Sequence, residues 1–209
     1  MKPHQIEWRD AILGRKSINL DISNLCTLEC PRCDRQKKGR PVPGHNMTVE
    51  EFTKIADYFD KILFCGQISD PIFNPNLLDF IQIAKEKGKQ LNIHTAASQR
   101  PTNWWSNAFD TIDKDKSKWI FALDGLPKDS HKYRINQDGE HVWEMMKLAV
   151  SKGVNVGWQY IVFKYNEDDI ETCKQMAIDN GIQFNLMHSS RWRGRDDPYK
   201  PSKNYRIDR

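Results

Sequence analysis

The sequence has no apolar run that is long enough to cross a membrane and no hydrophobic leader at its start. A membrane-spanning helix needs about 20 consecutive apolar residues, and charged or polar side chains interrupt every apolar stretch of this chain well before that length. Residues 1–10 also lack the apolar segment that a secretory signal requires. We therefore expect a cytoplasmic protein that does not enter a membrane.

Cysteine is scarce and unevenly placed. The 209 residues include five cysteines, an odd number that argues against a disulfide framework and agrees with a reducing compartment. Three of them, Cys26, Cys30 and Cys33, lie within eight residues in the spacing C-x3-C-x2-C. Chance seldom gathers cysteines so closely, so we expect these three thiols to bind one common group.

Three thiols without an evident fourth ligand form an incomplete cage. Structural zinc takes four ligands, whereas three thiolates can hold an iron–sulfur cluster and leave one iron open for another ligand. A zinc site that borrows His45 is one alternative, and a thioredoxin-like dithiol of Cys30 and Cys33 is another. The dithiol leaves Cys26 without a role, and a loop rich in glycine, proline and lysine follows it instead of a helix. The cluster is the interpretation that uses all three thiols.

The net charge of +4 lies entirely near the carboxyl terminus. Residues 189–209 hold seven Lys or Arg and three Asp or Glu, and the rest of the chain is neutral. Within this basic tail, cations alternate with Trp192, a pattern that suits stacking on a nucleic acid. The same charge would also attract an acidic peptide or a partner protein, or would simply lie in solvent.

Strand-like runs alternate with helix-like segments along the chain, which is typical of a parallel sheet covered by helices. The predicted strands cover residues 17–23, 61–66, 90–95, 118–124, 154–163 and 182–187. The predicted helices begin near residues 48, 76, 103, 141 and 167, and Thr48 followed by Glu51 predicts a capping box for the first. Six such units predict a partial (β/α)6 barrel of the TIM type, with an extension at 1–16, a core at 17–190 and a tail at 191–209. Functional residues of such barrels lie at the carboxyl ends of the strands.

The run NLCTLECPRCDR, residues 24–35, resembles the cluster loop of the radical SAM superfamily, in particular its SPASM-related branch that modifies peptides and proteins. The resemblance implies that Cys26, Cys30 and Cys33 hold a [4Fe–4S] cluster whose open iron binds the amino and carboxylate groups of S-adenosylmethionine. It also implies that an electron from the cluster cleaves this ligand to a 5′-deoxyadenosyl radical, which takes a hydrogen atom from the substrate. The family usually has an aromatic residue beside the adenine, directly before the third cysteine. Here this residue is Arg32, which could stack in the same place.

The resemblance extends to the ends of four further strands. The residues that it places around S-adenosylmethionine, besides Arg32, are Gly66, Gln67, Ser69, Asp70, Thr95, Asp124, Arg134 and Asn166. Backbone carbonyls near Gly66 would accept the ammonium group, and Arg134 would pair with the carboxylate. From the residues alone, Asp70 and Asn166 are equally consistent with helix caps, and Arg134 with a solvated side chain.

The motifs together imply an enzyme with one cluster, and no residue could be assigned as catalytic. The substrate is unidentified: modification of a peptide or protein is favoured, and a peptide or a nucleic acid could bind at the basic tail. An electron donor such as flavodoxin or ferredoxin is implied. The sequence has no counterpart of the SPASM domain that carries auxiliary clusters. The alternative is an iron–sulfur or zinc module that binds nucleic acid without catalysis. Cys65, Tyr133 and His188 are further candidates for the pocket.

Overall fold

The computed structural model contains one sheet of six parallel strands. It describes residues 16–37, 41–96, 98–203 and 205. The strands are β1 (Ser17–Leu20), β2 (Lys61–Phe64), β3 (Gln90–Thr95), β4 (Lys118–Ala122), β5 (Asn155–Ile161) and β6 (Gln183–Met187). The helices are α1 (Val49–Tyr58), α2 (Leu77–Glu86), α3 (Thr102–Thr111), α4 (Gly139–Ser151) and α5 (Ile170–Asp179). Residues 1–15 of the predicted extension, and residues 204 and 206–209 of the tail, lie outside the described residues.

Each strand pairs with its neighbours in the sequence, in the order β1 to β6, and every pairing is parallel. Each connection between consecutive strands contains one of the five helices, and consecutive helices contact one another from α1 to α4. This arrangement confirms the predicted partial (β/α)6 barrel. Because all strands run in the same direction, their carboxyl ends meet at one edge of the sheet.

The main core lies between the sheet and the helices. Alternate strand residues face the helices and are completely or almost completely buried, among them Ile62, Phe64, Leu91, Ile93, Trp119, Phe121, Trp158 and Tyr160. The rings of Trp105 on α3 and Trp119 on β4 meet edge to face, with centroids 5.4 Å apart. The other set of alternate positions is mostly polar and includes Asn92 and His94 on β3. The sheet therefore has one apolar face and one polar face.

The capping box predicted for the first helix is confirmed. The Thr48 hydroxyl accepts a hydrogen bond from the Glu51 N–H at 3.2 Å, and the Thr48 N–H donates to the Glu51 carboxylate at 2.8 Å. The fourth helix begins two residues earlier than predicted, because Asp138 caps it by accepting from the His141 N–H at 3.0 Å.

Four strands end earlier than predicted, and the last helix begins later. β2 ends at Phe64 because Gly66 has φ +56°, a conformation that strands exclude. The fifth helix begins at Ile170 rather than near 167, because the preceding residues form a turn in which the Asp169 N–H donates to the Asn166 carbonyl at 3.1 Å.

The longest helix in the described residues, α4, has 13 residues. None of the helices described combines the length and the apolar character that crossing a membrane would require.

The capping box gives a direct test of this part of the fold. Thr48→Ala should lower the free energy of unfolding by about 1 kcal/mol, because the first turn of α1 loses its side-chain acceptor. Thr53→Ala is the matched control, since its hydroxyl only donates to the Val49 carbonyl on the same exposed helix. Urea denaturation should show a change below about 0.5 kcal/mol for the control. Equal losses for the two variants would contradict the capping role.

Candidate functional site

A cavity of about 300 Å³ lies at the edge of the sheet where the strands have their carboxyl ends. Cys26, Cys30 and Cys33 line one side of it, and the ends of β2, β3, β4 and β5 line the rest together with residues 188–191, which follow β6. Cys26 and Cys30 are buried, and Cys33 is partly exposed. The structure therefore brings the predicted cluster loop and the predicted strand ends to one site.

The donor set fits a cluster better than a single metal ion. In the part of the chain that the structure describes, no group of three His, Cys, Asp or Glu side chains is arranged to hold one metal ion. A [4Fe–4S] cluster gives each thiolate its own iron, so its ligands need to face one space without meeting at a point. His45, which a zinc site would borrow, lies 3.0 Å from the Glu51 carboxylate and is not among the residues that line the cavity.

The thiols also differ from those of a redox dithiol. Burial raises the pKa of the Cys26 thiol to about 12 and also raises the pKa of Cys30, whereas a reactive dithiol depends on a lowered pKa. The segment after Cys33 is a single 3-10 turn, Asp34–Lys37. A bound metal centre would reverse these shifts, because its positive charge favours the thiolates.

Hydrogen bonds hold the cysteine loop in place from several directions. The Glu29 N–H donates to the Ile135 carbonyl at 3.0 Å, and the Val42 N–H donates to the Asn24 carbonyl at 2.9 Å. Arg35 is buried, lines the cavity and donates to the Leu28 carbonyl. Arg35 belongs to the motif NLCTLECPRCDR, but no role was predicted for it. Its place two residues after the third cysteine was the only signal available.

The segment after β2 lines the cavity with all four of its predicted residues, Gly66, Gln67, Ser69 and Asp70. A Cβ on Gly66 would lie 3.0 Å from the Ser69 carbonyl oxygen, so the turn requires glycine. The Asp70 carboxylate accepts hydrogen bonds from the Ile72 N–H at 3.2 Å, the Thr95 hydroxyl at 2.8 Å and the Ala96 N–H at 2.8 Å. Asp70 therefore caps the 3-10 turn Pro71–Phe73 and joins the ends of β2 and β3. Thr95 itself also lines the cavity.

Arg134 and Asp124 form a buried ion pair. Arg134 Nε lies 2.7 Å from Asp124 Oδ2, and the other carboxylate oxygen accepts from the Ile161 N–H at 2.9 Å. Asp124 is completely buried, and Arg134 is 9% exposed and lines the cavity. The structure thus gives Arg134 a partner within the protein, at the edge of the space where its carboxylate ligand was expected.

Three of the predicted ligand residues, Arg32, Asp124 and Asn166, are not among those that line the cavity. The side chain of Asn166 is buried, accepts from the Phe163 N–H at 2.7 Å and donates to the Ile161 carbonyl at 3.0 Å. Arg32 donates two hydrogen bonds to the carboxylate of Asp197, at 2.8 and 3.2 Å. These bonds lower the pKa of Asp197 to about 2.

Other cavity residues come from the polar face of the sheet. His94 on β3 and Gln159 on β5 line the cavity but were not predicted. Burial lowers the pKa of His94, so the ring is neutral at pH 7. The signal for both was a polar residue at an alternating position near a strand end. Cys65, Tyr133 and His188, the further candidates for the pocket, all line the cavity.

The arrangement defines a class of fold: the described residues have the fold of radical SAM enzymes. SuiB from Streptococcus suis, solved with its precursor peptide SuiA, matches with a TM-score of 0.70 and 15% identity over 97% of this chain and 46% of that one. Methylornithine synthase (PylB) matches with a TM-score of 0.65 and 17% identity over 98% of this chain and 66% of that one. The enzyme anSMEcpe, solved with AdoMet and the Cp18Cys peptide, matches with a TM-score of 0.62 and 11% identity over 82% of this chain and 50% of that one.

This chain spans less than half the length of SuiB. No protein-family model and no curated protein matches the sequence. At sequence identities of 11%, 15% and 17%, the similarity between this chain and the solved structures concerns the fold alone.

The buried pair of Arg134 and Asp124 predicts a large effect on stability. Arg134→Met should lower the free energy of unfolding by about 3–5 kcal/mol, because it leaves a buried carboxylate without a partner. The double variant Arg134→Met, Asp124→Asn should lose less of the free energy of unfolding. Its amide oxygen can still accept from the Ile161 N–H, and no charge is buried. Urea denaturation of both variants measures the difference. A double variant that is less stable than Arg134→Met would contradict this pairing.

Proposed function

We propose that this chain is a radical SAM enzyme that holds a [4Fe–4S] cluster through Cys26, Cys30 and Cys33. The observation that carries the proposal is the convergence of these three thiols on one cavity at the carboxyl edge of a parallel six-stranded sheet. This donor set leaves one iron of a cluster open, and the cavity beside it is the space for S-adenosylmethionine. The fold shared with SuiB and anSMEcpe, each solved with this ligand, supports the same proposal.

The chain's own residues would bind and orient the ligand. The turn at Gly66 puts Gly66, Gln67 and Ser69 at the cavity wall, and the backbone carbonyls of this turn would accept hydrogen bonds from an ammonium group. Arg134 has N–H groups beyond the Nε that faces Asp124, and these suit a carboxylate at the cavity wall. When bound, the cluster would supply the electron that cleaves S-adenosylmethionine to a 5′-deoxyadenosyl radical. Tyr133 and Ile161 cover part of the wall and help to exclude water.

We propose a peptide or protein as the substrate and a small redox protein such as flavodoxin or ferredoxin as the electron donor. Two proteins of similar fold support a peptide: SuiB is solved with the precursor peptide SuiA, and anSMEcpe with the Cp18Cys peptide. A nucleic acid stacked on the tail finds less support, because Trp192 and Tyr199 pack against the protein's own rings.

The thiols can be tested one at a time. After anaerobic reconstitution, the protein should hold about four irons and four sulfides, and Cys26→Ala, Cys30→Ala or Cys33→Ala should abolish this. Cys65→Ala and Cys173→Ala are the matched controls: Cys65 lines the cavity outside the motif, and Cys173 is buried in the main core. Iron and sulfide analysis with the visible spectrum gives the result. Colourless protein with stoichiometric zinc would reject the proposal.

The fate of the ligand gives an independent test. With a strong one-electron reductant, the reconstituted protein should convert S-adenosylmethionine to 5′-deoxyadenosine and methionine, slowly when no substrate is present. Chromatography of the products measures both. S-adenosylhomocysteine as the only product would indicate polar methyl transfer, and the radical mechanism would be wrong.

A further inference from the structure

The chain after β6 returns across the cysteine loop. We name residues 191–203 the C-terminal strap. Its start, at Arg191, lines the cavity together with residues 188–190, and its end reaches Glu167, which accepts from the Ser202 N–H at 2.8 Å. The backbone of the strap is tied to the segment after β5, since the Lys164 N–H donates to the Tyr199 carbonyl at 3.0 Å.

A buried ion pair between Arg32 and Asp197 joins the strap to the cysteine loop, beside a longer and more exposed pair of Arg191 and Asp34 at 3.9 Å. Arg32 lies between Cys30 and Cys33, and its guanidinium donates from Nε and one Nη to the two carboxylate oxygens of Asp197. The Asp197 side chain is completely buried, and 12% of the Arg32 side chain is exposed. Two-point pairing of this kind fixes both distance and orientation, which a lysine cannot do.

The Asp197 carboxylate also accepts hydrogen bonds from the backbone of the strap itself. One oxygen of Asp197 also accepts from the Arg193 N–H at 2.7 Å, and the other accepts from the Tyr199 N–H at 3.0 Å. The carboxylate therefore fixes the turn of the strap on which it lies. Buried carboxylates are stable only when they are paired and hydrogen-bonded in this way.

Aromatic rings complete the contact between the strap and the cavity wall. The ring of Tyr199 meets Tyr133 edge to face at 5.2 Å, and Trp192 meets Phe163 in the same way at 5.8 Å. Tyr133 and Phe163 stack at 3.9 Å and belong to the small apolar cluster that also contains Cys26 and Cys30. The guanidinium of Arg32 lies 5.1 Å from the centre of the Tyr199 ring.

We propose that Arg32 is a positioning residue that couples the C-terminal strap to the cluster loop: pairing with Asp197 holds the strap as a wall of the cofactor site. Arg32, which the sequence resemblance placed beside the adenine, contacts the strap through Asp197 in this structure. Coupling of this kind is reciprocal. A cluster bound to the three thiols should therefore stabilise the docked strap. Loss of the ion pair between Arg32 and Asp197 should weaken both the docking of the strap and the binding of the cluster. The part that concerns the cluster rests on the proposed function.

Hydrogen exchange measured by mass spectrometry tests the docking directly. The Lys164 amide is a suitable reporter, because its acceptor is on the strap and its own side chain is untouched. Arg32→Gln should speed exchange of this amide and of the strap amides by at least about tenfold, since a buried carboxylate loses its partner. Arg32→Lys should keep part of the protection. Arg195→Gln is the matched control, because it removes one exposed cation of the strap and should leave exchange unchanged.

A double-variant cycle tests whether the two residues act through each other. Asp197→Asn should also speed exchange at Lys164, and adding it to Arg32→Gln should have little further effect. Asp196→Asn, which removes the same charge one residue away at an exposed position, is its control. Unchanged exchange in Arg32→Gln, or fully additive effects of the two changes, would overturn the proposal.

The coupling to the cluster has a spectroscopic readout. In reconstituted protein, an iron chelator should bleach the visible absorbance of Arg32→Gln at least about tenfold faster than that of Arg195→Gln. Equal rates would reject the coupling even if the strap is released. If the unaltered protein takes up no cluster, the proposed function fails, whereas the exchange experiment still decides whether Arg32 holds the strap.

Discussion

Asp70 holds together the segments that build one half of the cavity. Its N–H donates to the Leu25 carbonyl in the cysteine loop at 2.9 Å, while its carboxylate accepts from the Thr95 hydroxyl and the Ala96 N–H, both at 2.8 Å. A buried carboxylate is tolerated only when such bonds satisfy it. The loop that carries the thiols and the ends of β2 and β3 are therefore placed relative to one another by one residue, through its backbone N–H and its carboxylate, and the cavity depends on it.

Most of the charges around the site bind other parts of the protein. Arg134 pairs with Asp124, and Arg32 pairs with Asp197. Since unpaired buried charges are very costly, these partners make it possible to place charged side chains next to apolar rings and thiols. The neutral side chains of His94 and Gln159 face the cavity directly. A ligand in this cavity would thus meet neutral polar side chains and the remaining N–H groups of Arg134.

The alternation of strands and helices was predictable because it rests on local patterns. The capping box of Thr48 and Glu51 and the apolar faces of the helices are such patterns. Strand ends were predicted less well, and β2 shows why: Cys65 and Gly66, which follow Phe64, leave the sheet to line the cavity. The apolar character of the strand continues to Cys65, whereas the strand itself ends at Phe64.

The sequence by itself determined the class of fold, the three thiols and the strand ends on which a site had to form. A cysteine spacing and an alternating pattern are local, so they can be recognised without coordinates. Only the tertiary structure decided which partners the charged side chains at the site have. Arg32 and Asp197 are 165 residues apart in the chain and 2.8 Å apart in space. No local pattern records such a pair, because it exists only after the chain has returned across the cysteine loop.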